Sequence, residues 1–342
     1  MRILCLIDWP AKAGDRWLWK YLPDNHDEIE FLSASGSVDR FPKWGKLITY
    51  YPAYWRMAIR AMLQVRRKHY DAVVAWEGKN GFPYALLRSI TGQKEPPLII
   101  LTFIYRGLIR HFGPIARFGL RSVSAMSVTT PFEVDYYSHV LEIDGERMEM
   151  LPFPWYDNQW AKTAATEPEP QPFILASGRS YRDYATLAEA VRGLDVKVVI
   201  LARKFNLDGV TLPDNVEVSD LLSLVEYQKL LHRAQFVVVP LQDLPHSAGD
   251  SHLAQSMSAG KAIIASRTPS PEAYIEHGVN GLLVPPGDAQ SLRDAIQDLS
   301  AHPEQIASLG AAARCSFESK HTFERFSAEF YQLLQRVTNA NH

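Results

Sequence analysis

The stretch FILASGRSYRDYATLAEAVRGLDVKVVILA, residues 173–202, decides the fold. Its first apolar run, FILA, has the length of a buried strand, and a turn that contains Gly178 follows it. Apolar residues then recur at helical spacing over 183–194, and VKVVILA is a second apolar run of strand length. Two continuous apolar strands joined by an amphipathic helix predict a parallel sheet with helices on both faces.

The same alternation extends through the rest of the chain. Further apolar runs of strand length occur at QFVVVPL (235–241), KAIIAS (261–266) and NGLLVPP (280–286) after this unit, and at MRILCLID (1–8), DAVVAW (71–76), PLIILTF (97–103), SAMSVTT (124–130) and MEMLPF (148–153) before it. Segments with helical periodicity, such as 55–70, separate them. The proline-rich stretch AATEPEPQP has nothing to bury, so we interpret it as an interdomain linker.

We therefore predict an α/β protein with two doubly wound, Rossmann-like domains. The predicted boundaries are 1–163 for the first domain, 164–172 for the linker, 173–321 for the second domain and 322–342 for a C-terminal helix. In that helix Phe326, Phe330 and Leu333 recur at helical intervals. They form an apolar stripe that needs a partner surface.

Composition excludes several classes of protein. The 342 residues hold 36 Lys and Arg against 38 Asp and Glu, so the net charge gives no reason to expect a nucleic-acid partner. Two cysteines cannot form a disulfide framework, no apolar run reaches the length of a membrane span, and the cytoplasm is the expected compartment. No G-x-G-x-x-G follows a predicted strand, and the histidines show no metal-binding spacing. We expect neither a dinucleotide cofactor nor a metal.

The turn after the strand FILA is the first candidate for a binding site, because open parallel sheets bind ligands at the carboxyl ends of their strands. Gly178 permits close approach of a ligand to the backbone, and Arg179 and Arg182 could flank a diphosphate. The structural alternative is a surface turn whose arginines pair with Asp183 or Glu189.

A second candidate lies in HSAGDSHLAQ (246–255), just before a predicted helix. The small residues Ser247, Gly249 and Ser251 leave backbone N–H groups open to an anion, and the helix dipole favours negative charge there. The structural alternative is an ordinary N-cap in which Asp250 or Ser251 satisfies the first helical turn.

Taken in order, these motifs resemble the nucleotide-binding domain of GT-B glycosyltransferases, in particular glycosyltransferase family 4. The resemblance runs from 173 onward through SGRSYRDY, NVEVSDLLSLVEYQKLLHRAQFVVVPL, SMSAGKAIIAS and PEAYIEHGVNGLLVPPGDAQSLRDAI. The first half of the chain matches only in architecture. The resemblance implies a GT-B fold, in which two Rossmann-like domains face a cleft and the C-terminal helix returns to the first domain.

The chain departs from the family at one motif. The family carries two glutamates eight positions apart, and Ser247 and Gln255 occupy those positions here. The resemblance implies that Gln255 binds the donor ribose, since an amide can both donate and accept hydrogen bonds. Ser247 cannot supply the charge of the first glutamate, and Asp250 is a candidate to replace it. His252 lies in the same block and is included in the predicted donor site.

Candidates in the first domain sit at predicted strand ends. They are Asp8 and Glu77 as catalytic residues and Tyr105 and Arg106 on the acceptor side. The structural alternative for Glu77 is a salt-bridged turn residue. A retaining mechanism like that of the family needs no strong base, because the leaving diphosphate accepts the proton, whereas an inverting enzyme would need a carboxylate or histidine here.

A basic window completes the prediction. Residues 51–121 hold 12 Lys and Arg against three acids, interleaved with aromatic residues, which suits an anionic membrane or a lipid-linked acceptor. A solvated basic face is the alternative.

We expect a nucleotide-sugar-dependent glycosyltransferase that acts on a hydroxyl acceptor in polysaccharide, glycolipid or glycoconjugate assembly, in the cytoplasm or at the inner face of the membrane. A non-catalytic binding protein and a nucleotide-sugar epimerase on the same fold remain alternatives.

Overall fold

The computed structural model describes residues 1–10, 16–22, 26–34, 51–104, 113–151, 172–220, 222–244 and 247–340. The chain divides into two compact units, one formed by Met1–Pro152 with Phe326–His342 and the other by Phe153–Arg325. Apart from Pro172, the predicted linker lies outside the described residues. The division after Arg325 falls four residues later than the boundary drawn from the sequence at 321.

The first unit contains one parallel sheet. Its strands are β1 (Arg2–Ile7), β2 (Glu28–Ser33), β3 (Ala72–Ala75), β4 (Leu98–Ile100), β5 (Ala125–Val128) and β6 (Met148–Met150), in the order β2-β1-β3-β4-β5-β6. Its helices are α1 (Tyr51–Arg67), α2 (Gly78–Thr91), α3 (Gly113–Leu120) and α4 (Pro131–Leu141), with 3-10 helices at Trp17–Tyr21 and Gly145–Arg147. Continuous apolar runs such as RILCLI form the inner strands, which are almost wholly buried.

Among the described residues, the four helices α1 to α4 of this unit form one layer. Each of them connects two strands that follow one another in the chain, and all four connections run across the sheet toward β6. Right-handed crossovers that run in one direction place their helices on the same face of the sheet. Accordingly α1 packs on α2, α2 on α3 and α3 on α4. Their inner side chains, among them Tyr54, Ala58 and Tyr84, join the strand residues in one buried core.

The second unit repeats the architecture. Its strands are β7 (Phe173–Ser177), β8 (Lys197–Leu201), β9 (Val216–Ser219), β10 (Phe236–Val239), β11 (Ile263–Ser266) and β12 (Leu282–Val284), in the order β12-β11-β10-β7-β8-β9. Its helices are α5 (Tyr184–Val191), α6 (Leu224–Arg233), α7 (Asp250–Ser258), α8 (Pro269–Tyr274), α9 (Ala289–Ala301) and α10 (Pro303–Lys320), with a 3-10 helix at Lys204–Asn206; α11 (Phe323–Asn339) follows. This strand order is that of a dinucleotide-binding Rossmann domain.

Most of the final helix belongs to the first unit. The apolar stripe of α11, including Phe326, Phe330 and Leu334, is buried. The ring of Phe330 meets the edge of the Trp19 indole at a centroid distance of 5.2 Å. Residues from the end of the chain therefore complete the core of the domain that the start of the chain builds.

Two strands escaped the sequence analysis. Both β2 and β9 lie at the outer edge of a sheet, and both alternate charged with apolar residues, as EIEFLS and VEVS show. An edge strand is exposed along one side, so it does not need the continuous apolar run that marks a buried strand. Within the described residues, no helix is both long and apolar enough to cross a membrane.

Candidate functional site

The second sheet has a switch point between β7 and β10. From β7 the chain steps to β8 and β9 on one side and then crosses to β10 on the other side, so β7 and β10 are neighbours whose connections diverge. Ligands of open α/β sheets bind outside the strand ends at such a point. A pocket of about 400 Å³ opens there, and it is lined by Gly178, Arg179, Arg182, Ser251, His252 and Gln255 of the predicted donor site.

Gly178 and Arg182 form a tightly fitted pair at one wall of this pocket. Gly178 has a φ of +128°, and a Cβ atom added to it would lie 2.6 Å from Cζ of Arg182. The Arg182 guanidinium is buried, donating from Nε to the Ser177 carbonyl at 2.9 Å and from Nη1 to the Ser180 carbonyl at 2.9 Å. Burial lowers the pKa of Arg182 from its usual value. A cation is thus fixed at the end of β7.

Arg179 is exposed and lines the same pocket. Its carbonyl accepts a hydrogen bond of 2.7 Å from the Asn206 side chain. The alternative pairing of these arginines with Asp183 does not form, because Asp183 caps α5 and accepts from Thr186 N at 3.0 Å and Thr186 Oγ1 at 2.7 Å. The Arg179 guanidinium can therefore reach a ligand without giving up a bond to Asp183.

The amino terminus of α7 forms the opposite wall. Gly249 is its N-cap, with a φ of +95°, and as a glycine it offers no side-chain oxygen to the first turn. Asp250 is the first helical residue, and its carboxylate accepts a hydrogen bond of 2.9 Å from Ser270 Oγ. Neither Asp250 nor Ser251 is the N-cap that the structural alternative required. Ser251 lines the pocket, whereas Ser247 is buried and does not line it.

His252 is a buried, neutral histidine at the base of the pocket. Its Nδ1 lies 2.8 Å from the Ser177 carbonyl, so the proton is on Nδ1 and that nitrogen donates. Its Nε2 atom is buried and has no hydrogen-bond partner among the described residues. Burial first, and then the nearby Arg182 charge, lower the pKa of His252 to about 3. The ring links the end of β7 to α7 without adding charge.

Gln255 lies one turn further along α7, half-buried, with its side chain at the pocket. Three residues that the sequence analysis did not single out complete this side, namely Leu222, Leu224 and Tyr227. They belong to α6 and the segment before it, which the sequence shows only as an ordinary amphipathic helix. Their position beside the ligand site depends on the crossover between β9 and β10.

The lysine of the motif SMSAGKAIIAS has a structural position. Lys261 Nζ donates to the carbonyls of His232 and Ala234 at 2.5 and 2.6 Å, at the C-terminal end of α6. Burial lowers the pKa of Lys261 to about 8. A cation that hydrogen-bonds the last carbonyls of a helix stabilises its C-terminal end, so this motif residue holds α6 and does not line the pocket.

The first sheet also has a switch point, between β1 and β3, and two predicted catalytic residues lie there. Lys79 Nζ is 2.7 Å from Asp8 Oδ2 and 2.9 Å from Glu77 Oε2. Burial alone would lower the pKa of Lys79, but the two carboxylates outweigh it and raise that pKa. Glu77 is thus salt-bridged, as its structural alternative predicted. It also lies at the end of a strand, where a ligand could bind.

Several aromatic and polar residues that the sequence analysis did not single out lie next to this triad in the chain. Trp9, Trp17 and Trp76 contact one another edge to face, with centroid distances between 5.0 and 5.8 Å, and all three are half-buried. Asn80, next to Lys79, is fully buried, and neither its Nδ2 nor its Oδ1 has a partner among the described residues. Tyr105 and Arg106 lie outside the described residues.

A second pocket, of about 520 Å³, lies at the amino-terminal edge of the first sheet and holds none of the predicted site residues. Two of its three arginines hydrogen-bond the ends of the helices beside it. Arg88 Nε donates to the Gln93 carbonyl at 3.3 Å, and Arg147 Nη2 donates to the Leu120 carbonyl at 2.9 Å. These carbonyls lie at the C-terminal ends of α2 and α3, where cations are stabilising, so we interpret both arginines as structural.

The fold defines the class of protein. Two parallel six-stranded sheets with flanking helices form two Rossmann-like units, as in GT-B glycosyltransferases, and the predicted fold class is confirmed. Residues 178–302, which include most of the pocket, match the family model described as Glycosyl transferases group 1.

Individual proteins extend this similarity. Over 263 residues the chain is 24% identical to the D-rhamnosyltransferase WbpZ of Pseudomonas aeruginosa, and the alignment covers 69% of this chain and 66% of that protein's length. Sucrose-phosphate synthase from Thermosynechococcus elongatus superposes with a TM-score of 0.74 at 17% identity over 99% of both chains. HepE of Anabaena, in complex with UDP and glucose, gives 0.69 at 16% identity over 98% of this chain and 99% of its own. The comparisons support a glycosyltransferase.

Proposed function

We propose that this protein transfers a sugar from a nucleoside diphosphate sugar to a hydroxyl acceptor, with retention of configuration. The observation that carries the proposal is the pocket at the second switch point, where Arg179, Arg182 and the uncapped start of α7 converge. Guanidinium groups and helix N-termini are the groups that bind phosphate oxygens in proteins. The diphosphate of the donor would occupy this part of the pocket.

The remaining lining fits the rest of a nucleotide. Gln255 would hydrogen-bond the ribose, and the apolar residues Leu222, Leu224 and Tyr227 would cover the flat face of the base. The UDP bound to HepE supports a uridine nucleotide as the first donor to test, and the rhamnosyltransferase supports a deoxyhexose as one candidate sugar. All contacts proposed here come from protein groups, and none requires a metal.

The acceptor would bind the first unit at its own switch point. Asp8 and Glu77 offer carboxylate oxygens to sugar hydroxyls, and the half-buried indoles of Trp9 and Trp76 offer an apolar surface to a ring. In a retaining reaction the leaving diphosphate takes the proton of the acceptor hydroxyl as the new glycosidic bond forms. If the outcome is inversion, Asp8 or Glu77 would act as the general base. Asp250 would replace the missing charge of the family's first glutamate.

We further propose that the acceptor is lipid-linked and that the enzyme acts at the inner face of the membrane, in the assembly of a polysaccharide or glycolipid. The basic window 51–121 supports this location, because clusters of Lys and Arg are attracted to anionic lipid. Two other functions make different predictions. A non-catalytic binding protein would transfer no sugar, and an epimerase would interconvert free nucleotide sugars without an acceptor.

A thermal-shift screen over UDP-, GDP-, ADP- and dTDP-sugars tests the donor site. One nucleotide class should raise the melting temperature, because a ligand that binds only the folded state stabilises it in proportion to ln(1 + [L]/Kd).

Arg179→Ala should weaken binding of the diphosphate by about 10- to 150-fold and leave the nucleoside nearly unaffected. Arg192→Ala is the matched control, because Arg192 is exposed at the far end of α5 and donates to the Thr211 carbonyl. Equal losses for nucleoside and diphosphate would contradict the assignment.

Gln255 is tested separately with deoxynucleotides. Gln255→Ala should lose roughly 1–3 kcal/mol of nucleotide binding, whereas Gln255→Glu should keep it. The penalty that the wild type pays for a ligand without the 2′- or 3′-hydroxyl should largely vanish in Gln255→Ala, because the contact is already gone. Additive penalties for both deoxy ligands would show that Gln255 does not touch the ribose.

A further inference from the structure

Helix α1 turns an apolar stripe toward solvent. Trp55, Ile59 and Leu63 are 38%, 50% and 48% exposed, although large apolar side chains on a helix normally face the core. Their spacing of four residues places them along one line of the helix. The opposite face of α1 is the core face, with Tyr54, Met57, Ala58, Ala61 and Met62 buried. The exposed stripe is therefore a second apolar face, in addition to the one that folding buries.

Charge of a single sign accompanies this stripe. Helix α1 carries Arg56, Arg60, Arg66 and Arg67, all exposed, and it contains no acidic residue. Helices α2 and α3 contain no acidic residue either. A solvated face of a protein with 38 acids and 36 bases normally mixes both signs, so four exposed arginines on α1 without one acid are unusual for this composition. Arg88 on α2 and Arg117 on α3 do not add to this charge, because Arg88 is buried and Arg117 pairs with Glu142.

The two neighbouring helices extend the apolar surface. Ile90 on α2 is 64% exposed, and Ile115 and Phe118 on α3 are 47% and 42% exposed. Six of the thirteen large, exposed apolar side chains in the described residues thus lie on α1, α2 and α3. These helices pack side by side in one layer on one face of the sheet, so their outer surfaces face the same way.

We infer that the outer face of the α1–α3 layer docks on an anionic phospholipid bilayer. Trp55, Ile59 and Leu63 enter the interface between headgroups and acyl chains, and the arginines beside them contact the lipid phosphates. A helix with aliphatic and Trp side chains on one face, flanked by Arg, is the sequence of an interfacial membrane helix. The aromatic residues of the basic window do not all take part, because Tyr54 and Phe103 face the core.

The same observations disfavour a second copy of the chain as the partner. A symmetric dimer through this face would bring Arg56, Arg60 and Arg67 of both copies together, and like charges opposed in an interface are destabilising. An anionic bilayer supplies both an apolar layer and the opposite charge. The inference rests on the membrane location in the proposed function, and it is independent of the donor site.

Vesicle co-sedimentation with the full chain tests the inference. The protein should pellet with vesicles in which phosphatidylglycerol replaces about a third of the phosphatidylcholine, and not with pure phosphatidylcholine. Ile59→Ser should weaken binding roughly ten-fold, because it removes an inserted aliphatic side chain. Val279→Ser is the matched control, since Val279 is a β-branched side chain that is 52% exposed on the other unit, and it should leave binding unchanged.

Charge is tested by Arg60→Gln, which should weaken binding roughly five-fold, with Arg192→Gln on the other unit as its control. Binding should also fall as salt rises, because exposed charges are screened beyond a Debye length of about 8 Å at physiological ionic strength. Equal pelleting with both kinds of vesicle, absence of pelleting, or equal losses for Ile59→Ser and Val279→Ser would overturn the inference. So would a wild-type dimer in sedimentation velocity that Ile59→Ser converts to monomer.

The donor screen separates this inference from the proposed function. Ile59→Ser should keep the thermal shift that the wild type shows with its nucleotide, because α1 and the donor pocket belong to different units. If the wild type does not bind vesicles but responds to a nucleotide, the docking surface is contradicted and the donor site is still supported. Vesicle binding without any nucleotide response would leave the docking surface standing and contradict the proposed transferase.

Discussion

At the scale of single residues, the donor pocket depends on how Gly178 and Arg182 fit together. The glycine adopts a backbone conformation that other residues rarely adopt, and the guanidinium fills the space that a side chain would need. The sequence indicated a glycine for close approach of a ligand. In the structure its immediate neighbour is Arg182, and two carbonyls hold that arginine in place.

We expect Gly178→Ala to destabilise the second unit by about 2 kcal/mol or more, because it adds backbone strain and displaces Arg182. Gly193→Ala is the matched control, since Gly193 has a φ of +72° but no atom within 4 Å of an added Cβ. It should cost about 1 kcal/mol from strain alone. Urea unfolding measures both, and equal costs would show that the contact with Arg182 does not matter.

His252 predicts a pH dependence of stability. Its pKa is about 3 in the folded state against about 6.5 in an unfolded chain, so the unfolded state binds more protons between these values. Stability is therefore fully present above pH 7 and is lost as the pH falls through this window. Between pH 7 and pH 5 we expect a loss of about 2 kcal/mol from this residue.

His252→Asn isolates that contribution, because the amide can still donate to the Ser177 carbonyl but does not titrate. Its free energy of unfolding should fall less steeply with acid than that of the wild type. Part of the acid sensitivity should remain, since burial, with smaller effects of Lys320 and Arg325, lowers the pKa of His321 to about 4. Identical acid limbs for both proteins would contradict a buried neutral His252.

At the scale of secondary-structure elements, close backbone contact decides how α10 packs. Gly310 lies in the middle of this helix, and a Cβ atom there would overlap the Gly260 carbonyl, which follows α7. Helix propensity alone predicts that alanine would be the better residue at 310. Only the packed structure shows that glycine is needed for α10 to approach the end of α7.

Gly310→Ala should therefore destabilise the protein, by about 1–3 kcal/mol, although it introduces a better helix former. Ala311→Gly tests propensity at the neighbouring exposed position and should cost about 1 kcal/mol. Chemical denaturation of both variants checks the comparison. A stabilised Gly310→Ala would show that α10 can shift away without loss.

Burial separates the strands that the sequence predicted from those that it missed. Buried strands such as β7 and β10 were predicted because a strand covered on both faces must be apolar throughout. The edge strands β2 and β9 were missed because their side chains are partly exposed and alternate in polarity. The predicted ends of helices and strands differ from the structure by a few residues for another reason. Helix ends depend on caps such as Asp183, and strand ends depend on pairing with neighbouring strands.

At the scale of the whole molecule, the two ends of the chain fold together. Phe330 is fully buried and packs on Trp19, more than three hundred residues earlier in the sequence. The first unit should therefore depend on the last helix for stability.

Phe330→Ala should destabilise the first unit by about 3–5 kcal/mol, because it leaves a cavity beside Trp19. Gln335→Ala, at an exposed position on the same helix, should change stability by less than about 0.5 kcal/mol. Hydrogen exchange of β1 measures the effect where it is expected. Unchanged protection of β1 in Phe330→Ala would mean that α11 is dispensable for this unit.

The sequence by itself determined the class of the fold and predicted two α/β domains. Of the residues that it predicted for a donor site, six line the pocket, namely Gly178, Arg179, Arg182, Ser251, His252 and Gln255, and Ser247 and Gly249 do not. Buried strands, helical periodicity and a glycine at a strand end are local patterns, and they indicated the fold and the turn with Gly178, whereas Gln255 was predicted from the resemblance to glycosyltransferase family 4. The sequence left open which of these side chains meet a ligand.

Tertiary structure decided the rest. The triad of Asp8, Lys79 and Glu77 and the tryptophans beside it come together only because β1 and β3 are neighbours across a crossover. The crossover before β10 brings Tyr227 to the pocket, and the side-by-side packing of α1–α3 gathers scattered apolar residues on one outer surface. These contacts join residues far apart in the chain. They depend on strand order and on which elements pack side by side, and no local pattern encodes either.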